Sequence, residues 1–278
     1  MATREMAEFL RSRRDRIRPA VVGLPEGGRR RTPGLRRAEV ALLAGISPDY
    51  YMRLEQGRGT RPSPSVLDGL ARALVLNDDE RDHLYRLALE LPSPPQVNGE
   101  DPLDGQVGRE VAQLLDAIDR VPAYVVNGRL DVLAWNRTAA ALMCEVAELP
   151  EPRRNMLRYA FGDPRARSFY VDWEGVVRHG VAQLRAATGR DPGNPVTEAL
   201  IRELSRDAAF RDCWARQDVK GPGTGRKEYR HPVVGRISLD YIGMLLPGTA
   251  EHQFVTLTAP DAESQAALDK LAAAGVSA

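Results

Sequence analysis

A chain of 278 residues, 43% hydrophobic and 28% charged, is long enough for two domains with separate cores, and it holds no apolar run near the roughly 18 residues that a membrane span needs. Its formal net charge of +1 hides an asymmetry: residues 1–61 carry 14 arginines against seven acids, about +7, which leaves about −6 elsewhere, as when only one end of a protein meets a polyanion. Two distant cysteines, Cys144 and Cys213, offer neither a disulfide framework nor a zinc-knuckle spacing, and only three of the 39 basic residues are lysine (Lys220, Lys227, Lys270), a bias that fits a GC-rich bacterial genome.

The opening stretch, MATREMAEFLRSRRDR, is charged and helical in period and lacks the apolar stretch and cleavage site of a secretory signal, so a cytoplasmic location is expected. Further on, Gly45, Ile46 and Ser47 separate an apolar helical pattern (Leu35, Val40, Leu43, Ala44) from a short helix, SPDYYMRLEQG, which together make a helix-turn-helix pattern. Ser47 suits the N-cap, Pro48 the first helical position and Gly57 the left-handed residue after the last turn. Tyr51 and Leu54, three apart, face the core, which leaves Pro48, Asp49, Tyr50, Met52 and Arg53 outward. Ser63 or Ser65 caps the run of Val66, Leu67, Leu70 and Leu74, and Asn77 with three acids opens another helix, so that five helices close a small core.

In RRTPGLRRAEVALLAGISPDYYMRLEQGRGTRPSPSVLDGLARAL the chain resembles the Cro/repressor-type, Xre-family helix-turn-helix domain, over roughly residues 4–90. The resemblance implies double-stranded DNA as partner, with residues 47–56 in the major groove and base contacts from Ser47, Pro48, Asp49, Tyr50 and Arg53. Arg53 is the candidate for direct readout, since arginine on O6 and N7 of guanine is the commonest specific contact. Arg36, Arg37, Arg58 and Arg61 flank the helix and are expected on phosphates. A long insert between the first two helices carries Arg29, Arg30 and Arg31, a basic arm suited to phosphates or a minor groove. Asp49 is read either as a helix-start carboxylate or as a cytosine contact, and Glu55 as a hydrogen-bond partner inside the module.

The proline-, glycine- and acid-rich residues 92–105 mark a linker. Beyond it Val107, Val111, Leu114, Leu115 and Ile118 share a helical face, and AYVV, the turn pair Asn127-Gly128 and RLDVLAW form a hairpin. From Arg137 to about Gln217 the period is helical, with one long amphipathic stretch opened by Asp163-Pro164 and carrying Phe169, Trp173, Val177, Val181 and Leu184. Strand patterns return at KEYRH, GRISLDYIGMLL and QFVTLTA. Two strands, several helices and three strands predict an antiparallel sheet with helices on one face, an α+β, PAS-like order. This half resembles the ligand-binding domain of MmyB-like regulators in NMLRYAFGDPRARSFYVDWEGVVRHGVAQLRAATGRDP, FRDCWARQDV and HPVVGRISLDY, extending the resemblance to about residues 4–260.

That resemblance implies a fatty-acid-like ligand, with Tyr124, Trp135, Tyr159, Phe161, Phe169, Trp173, Trp214, Tyr241 and Met244 as candidates for the pocket wall and Arg158, Arg165 or Arg167 for an acid head. GPGTGR at 221–226 lacks the strand-to-helix context and the Lys-Ser or Lys-Thr of a phosphate cradle and is read as a loop. His83, His179, His231 and His252 show no metal spacing, so no catalytic site, metal or cofactor is expected. The expected architecture is an all-α five-helix helix-turn-helix domain at 1–91, a linker at 92–105, the α+β PAS-like domain at 106–262 and a C-terminal helix or tail at 263–278. The expected function is a transcriptional regulator, dimeric on an inverted repeat with major grooves about 34 Å apart, controlled by a small apolar or acyl ligand; the alternative makes the second domain a protein-interaction or dimerisation module without a ligand.

Overall fold

A computed structural model describes residues 2–25, 34–58, 61–89, 107–150, 153–249 and 251–274. The first module is five α-helices, α1 (Ala2–Arg16), α2 (Arg37–Ala44), α3 (Pro48–Glu55), α4 (Pro64–Ala73) and α5 (Asp78–Leu89), with a 3-10 turn at Pro19–Val22. Their inward faces bury Phe9, Leu10, Leu35, Val40, Tyr51, Leu54, Leu67, Leu70 and Leu84 in one apolar cluster. Polar side chains set the helix starts. Ser47 accepts from the Tyr50 N–H at 3.2 Å, and Ser63, not Ser65, caps α4 by accepting from the Val66 N–H at 3.4 Å. Asn77 and Glu80 cap α5 reciprocally, each side chain accepting from the other's N–H, at 3.0 and 3.2 Å. Between α2 and α3 the chain reverses through Gly45 at φ +70°, a conformation that a Cβ would penalise. The linker at 92–105 and Arg29, Arg30 and Arg31 lie outside the described residues.

The second domain holds α6 (Arg109–Ala117), β1 (Ala123–Val126), β2 (Val132–Trp135), then α7 (Arg137–Leu142), α8 (Cys144–Ala147), α9 (Met156–Gly162), α10 (Pro164–Phe169), α11 (Trp173–Arg190), α12 (Pro195–Leu204) and α13 (Ala208–Ala215). It closes with β3 (Thr224–His231), β4 (Gly235–Leu245), β5 (Gln253–Thr258) and α14 (Ala262–Ala274). The five strands pair antiparallel in the order β2-β1-β5-β4-β3, so the last three strands enter beside β1. One sheet face carries Tyr124, Val126, Tyr229, Ile237, Leu239, Val255 and Leu257 into the main core with the intervening helices. The other face is partly covered as well, because alternation turns Ala123, Val125 and Phe254 outward against Leu115 of α6.

Four local readings are refined. The hairpin forms, but its turn is longer than Asn127-Gly128: the Asn127 carboxamide accepts from the N–H groups of Arg129 and Asp131, both at 3.0 Å, and the positive φ falls on Leu130 at +65°. Gly128 is needed instead for close approach, since a Cβ there would lie 1.6 Å from Glu251 Oε2. The long stretch after Asp163 is two helices, because Tyr170 bridges to Tyr229 of β3 and Asp172 caps α11 afresh, accepting from the Gly175 N–H at 2.9 Å. GPGTGR is a loop only at its start, since β3 begins at Thr224. The C-terminal helix α14 is part of the second domain, burying Leu268 and Leu271 in its core.

The two domains touch. Arg13 of α1 donates to Glu80 at 2.6 Å and also to the Gln217 carbonyl, Arg16 pairs with Asp218 at 2.5 Å, and the Gly221 N–H donates to Asp79 at 2.9 Å. Ala186 of α11 and Val219 join the apolar cluster of the first module.

Candidate functional site

The outer surface of α3 follows from what its inner surface is bonded to. Glu55, buried at the end of the helix, accepts from Arg14 Nε of α1 on one carboxylate oxygen and from Arg37 Nε of α2 on the other, both at 2.5 Å. Arg14 also donates to the Leu35 carbonyl at 3.0 Å. Burial alone would raise the Glu55 carboxyl, but the two guanidiniums hold it below the usual range, so the ion pairs persist at neutral pH. Three helices are thereby fixed at one carboxylate, and α3 is set with Ser47, Pro48, Asp49, Met52 and Arg53 exposed and Tyr50 half-buried. The Arg53 guanidinium lies 5.8 Å from the centre of the Tyr50 ring, which supports it as it projects.

Arg36, Arg58 and Arg61 are exposed around this face. Arg37 differs from the sequence expectation: its Nε is committed to Glu55, so only the rest of its guanidinium faces solvent. Glu55 is a partner within the module, as its placement in the pattern suggested.

In the second domain a cavity opens between the sheet and helices α9 and α11. Its inner chamber, with about 60 Å³ of room for water-sized atoms, is lined by Tyr124, Val126, Leu130, Leu157, Tyr170 and Val255 among others, with Gln183 and Gln253 in its wall. It runs into a vestibule of about 460 Å³ past Val176, His179, Lys227 and Tyr241, which border both spaces. Gly180, in the wall of the inner chamber, lets α11 lie close against α9, because a Cβ there would come within 2.8 Å of Leu157. Burial and the nearby Lys227 and Lys220 push His179 down to about 3, so its imidazole is neutral at physiological pH.

A family model for the MmyB-like transcription regulator ligand binding domain matches residues 107–271, and one for a helix-turn-helix domain matches residues 5–84. The chain belongs to the MmyB-like transcription regulators. It is a DNA-binding transcription regulator with a ligand-binding domain. No curated protein matches it.

Of the nine aromatic and methionine side chains expected around the ligand of this MmyB-like regulator, Tyr124 and Tyr241 border the cavity. The others lie elsewhere, for reasons of packing. Tyr159 and Phe169 meet edge-to-face with Tyr170 in the core, at 6.1 and 5.0 Å between ring centres. Phe161 of α9 and Trp173 of α11 join Phe210 and Trp214 of α13 in a chain of ring contacts. Trp135 carries Arg154 over its ring, and Met244 alternates onto the outer sheet face, 44% exposed. None of the three arginines considered for an acid head borders the cavity: Arg158 pairs with Glu203, Arg165 with Asp163 and Glu148, and Arg167 lies 3.8 Å over the Trp173 ring.

The groups that sequence reasoning missed are Lys227, His179, Gln183 and Gln253. A signal existed for the first: strand alternation puts Lys227 on the same face as the buried Tyr229. Among the described residues no group of three or more His, Cys, Asp or Glu side chains is placed to hold a metal, and no helix is long and apolar enough to cross a membrane.

Proposed function

We propose that this MmyB-like regulator acts in the cytoplasm as a homodimer on an inverted-repeat operator, with α3 in the major groove and Arg53 reading guanine, and that a fatty-acid-like ligand in the cavity of the second domain shifts the arrangement of the two DNA-binding modules. The second domain is read as a PAS-like sensor spanning 106–262 and continued by α14, and the first module as the reader spanning 1–91. Ser47, Pro48, Asp49 and Tyr50 line the base-facing side of α3, and Arg36, Arg58 and Arg61 hold phosphates on either side of it.

One observation carries the coupling: α11 belongs to both sites. Val176, His179, Gly180 and Gln183 along it line the cavity, and its C-terminal end docks on the first module. There Gly189 lets His83 of α5 approach so closely that a Cβ would sit 2.4 Å from the imidazole Nδ1. The same imidazole packs edge-on against Phe9 of α1 at 5.2 Å. Arg185, two-thirds of the way along α11, places its guanidinium 3.8 Å over the Trp214 ring and donates to the Trp214 carbonyl at 2.5 Å. A ligand that moves α11 therefore moves a buried seam of the DNA-binding module, and it does so only to the extent that it binds one arrangement more tightly than the other. The exposed Ile242 and Met244 on the outer sheet face support pairing of two copies there.

The test is native mass spectrometry of the freshly purified chain, then organic extraction, then anisotropy on an operator selected from random DNA with and without the extract. A dimer carrying a lipid-sized adduct that changes operator affinity is expected. A dimer whose operator affinity ignores the extract and every acyl compound tried would end the sensor reading and leave the DNA-binding one in place.

A further inference from the structure

The neck between the inner chamber and the vestibule carries one formally charged side chain that borders both spaces, Lys227 of β3. Among the described residues no Asp, Glu or Arg lines the inner chamber. Around the neck, α11 presents His179, neutral at physiological pH; β4 presents the Tyr241 phenol; β1 and the segment before α11 present the phenols of Tyr124 and Tyr170. The ionic groups of the vestibule are Asp172, Glu228 and Arg226. Each already has a partner: Asp172 caps α11, Glu228 pairs with Arg236 at 2.5 Å, and Arg226 pairs with Asp240 at 2.7 Å. Lys227 has no carboxylate partner among the described residues; its ammonium lies 4.8 Å from the centre of the Tyr241 ring.

This cation is half-buried, and among the described residues a ring face attends it in place of a carboxylate. Burial pushes its pKa down to about 8, so near neutrality it is still mostly protonated but its charge is poorly compensated. An anion arriving at the neck supplies the missing counter-charge. Behind it, the chamber of Val126, Leu130, Leu157, Ala160 and Val255 accepts an apolar tail.

We propose that Lys227 anchors the carboxylate of an amphipathic monocarboxylic acid whose tail enters the inner chamber, so that the cavity selects acids over neutral amphiphiles of the same length. The proposal rests on reading this cavity as the ligand site. It also explains how the inner chamber is served with no arginine among its described lining residues: a lysine on the edge strand β3 delivers a single compact charge to the neck.

The experiment is isothermal titration of the full chain with decanoate and with 1-decanol, in the wild type, Lys227→Met and Lys227→Arg, from pH 6.5 to 9.5. The wild type is expected to bind decanoate about tenfold or more tighter than decanol, a charge-assisted bond's worth of preference. Lys227→Met loses that preference by weakening the acid alone, and Lys227→Arg keeps most of it. Acid affinity in the wild type falls above pH 8, by up to about tenfold per pH unit as the ammonium of the free protein deprotonates, and the decanol affinity stays level. Equal binding of acid and alcohol, or a Lys227→Met protein that still prefers the acid, overturns the anchor and leaves the cavity as the ligand site. If neither amphiphile binds the wild type, the acyl-ligand reading falls, and the anchor with it. Operator binding and the far-ultraviolet spectrum of each variant show that it is folded, and Lys227→Arg keeps the question open to refutation if Lys227→Met is not.

Discussion

The two domains treat buried charge in opposite ways. In the DNA-binding module Glu55 is sealed from solvent and fully matched, one arginine on each carboxylate oxygen, and the result is that α3 cannot rotate without breaking two ion pairs. In the ligand-binding domain Lys227 stands at a cavity neck with an aromatic face beside it and, among the described residues, no carboxylate. A matched network fixes one geometry; a charge without a carboxylate beside free volume is compensated by whatever anionic group approaches it. Helix α11 reaches both domains, as does the segment that leads into β3.

Removing the carboxylate is the most severe way to break the first half of that comparison. Glu55→Ala leaves Arg14, its side chain 7% exposed, as a buried cation without its main partner, at an expected cost of about 3 to 5 kcal/mol in urea unfolding. Operator affinity falls with it, because α3 loses its tie to α1 and α2. A variant of unchanged stability would mean that the apolar packing of Tyr51 and Leu54 alone holds the helix. Arg53→Ala acts on the outer face instead: a loss of about 1 to 3 kcal/mol confined to one base position, with random-sequence DNA bound almost as before. Arg61→Ala is expected to weaken specific and random DNA alike and to lower the salt slope by about one. Anisotropy on specific and random duplexes at several salt concentrations separates the two; equal losses on both duplexes for Arg53→Ala would move it from base to phosphate.

Much of this was legible in the residues because local chemistry and burial agree. The caps at Ser47 and Asn77, the inward Tyr51 and Leu54 and the alternating strands of the second domain each satisfy backbone polarity and apolar burial with the same few side chains. The pocket wall was far less legible. Aromatic residues at helical spacing mark burial, and most of them, like Tyr159 and Phe169, fill space completely; a cavity is where filling stops, and glycines and mid-sized polar groups mark it. Gly180, Gln183 and Lys227 come together only when α11 is laid across β3, a juxtaposition with no sequence period. The split between α10 and α11 was hidden in the same way, by a cross-strand bridge at Tyr170. Arg37 looked like a surface cation because its partner is 18 residues away.

The seam between the domains is sharpened by acid. Burial, and then the charges of Arg185, Arg13, Arg190 and Arg86, push His83 down to about 3, so the folded protein keeps it neutral where an unfolded chain protonates it near 6.5. The unfolded state therefore binds the extra proton, and stability is lost as pH falls from about 6.5 towards 3, by up to about 2 kcal/mol at pH 5 from this residue. His179 adds a loss in the same direction. His83→Leu should flatten the fall in Tm between pH 7 and 5 without abolishing it. An unchanged slope would assign the acid sensitivity to other groups and remove the imidazole from the seam's energetics.

The smallest effect has the opposite sign to the first and is the sharpest test of the contrast. Lys227→Met subtracts one charge, as Glu55→Ala does, but from a site where folding gains nothing from that charge: no ion pair is broken, no carboxylate is orphaned, and a thioether fits against the Tyr241 ring. The ligand-free protein should therefore be as stable as the wild type or more stable, by no more than about 1 kcal/mol, in urea unfolding at pH 7. The wild type should close that gap as pH rises from about 8 towards 10.5, where folding no longer forces deprotonation of its lysine, since a depressed lysine pKa destabilises the fold only while the unfolded chain's ammonium is protonated. A loss above about 2 kcal/mol at pH 7 would show instead that Lys227 is bonded into the domain, as Glu55 is bonded into the first module, and that the two regions hold charge in the same way after all.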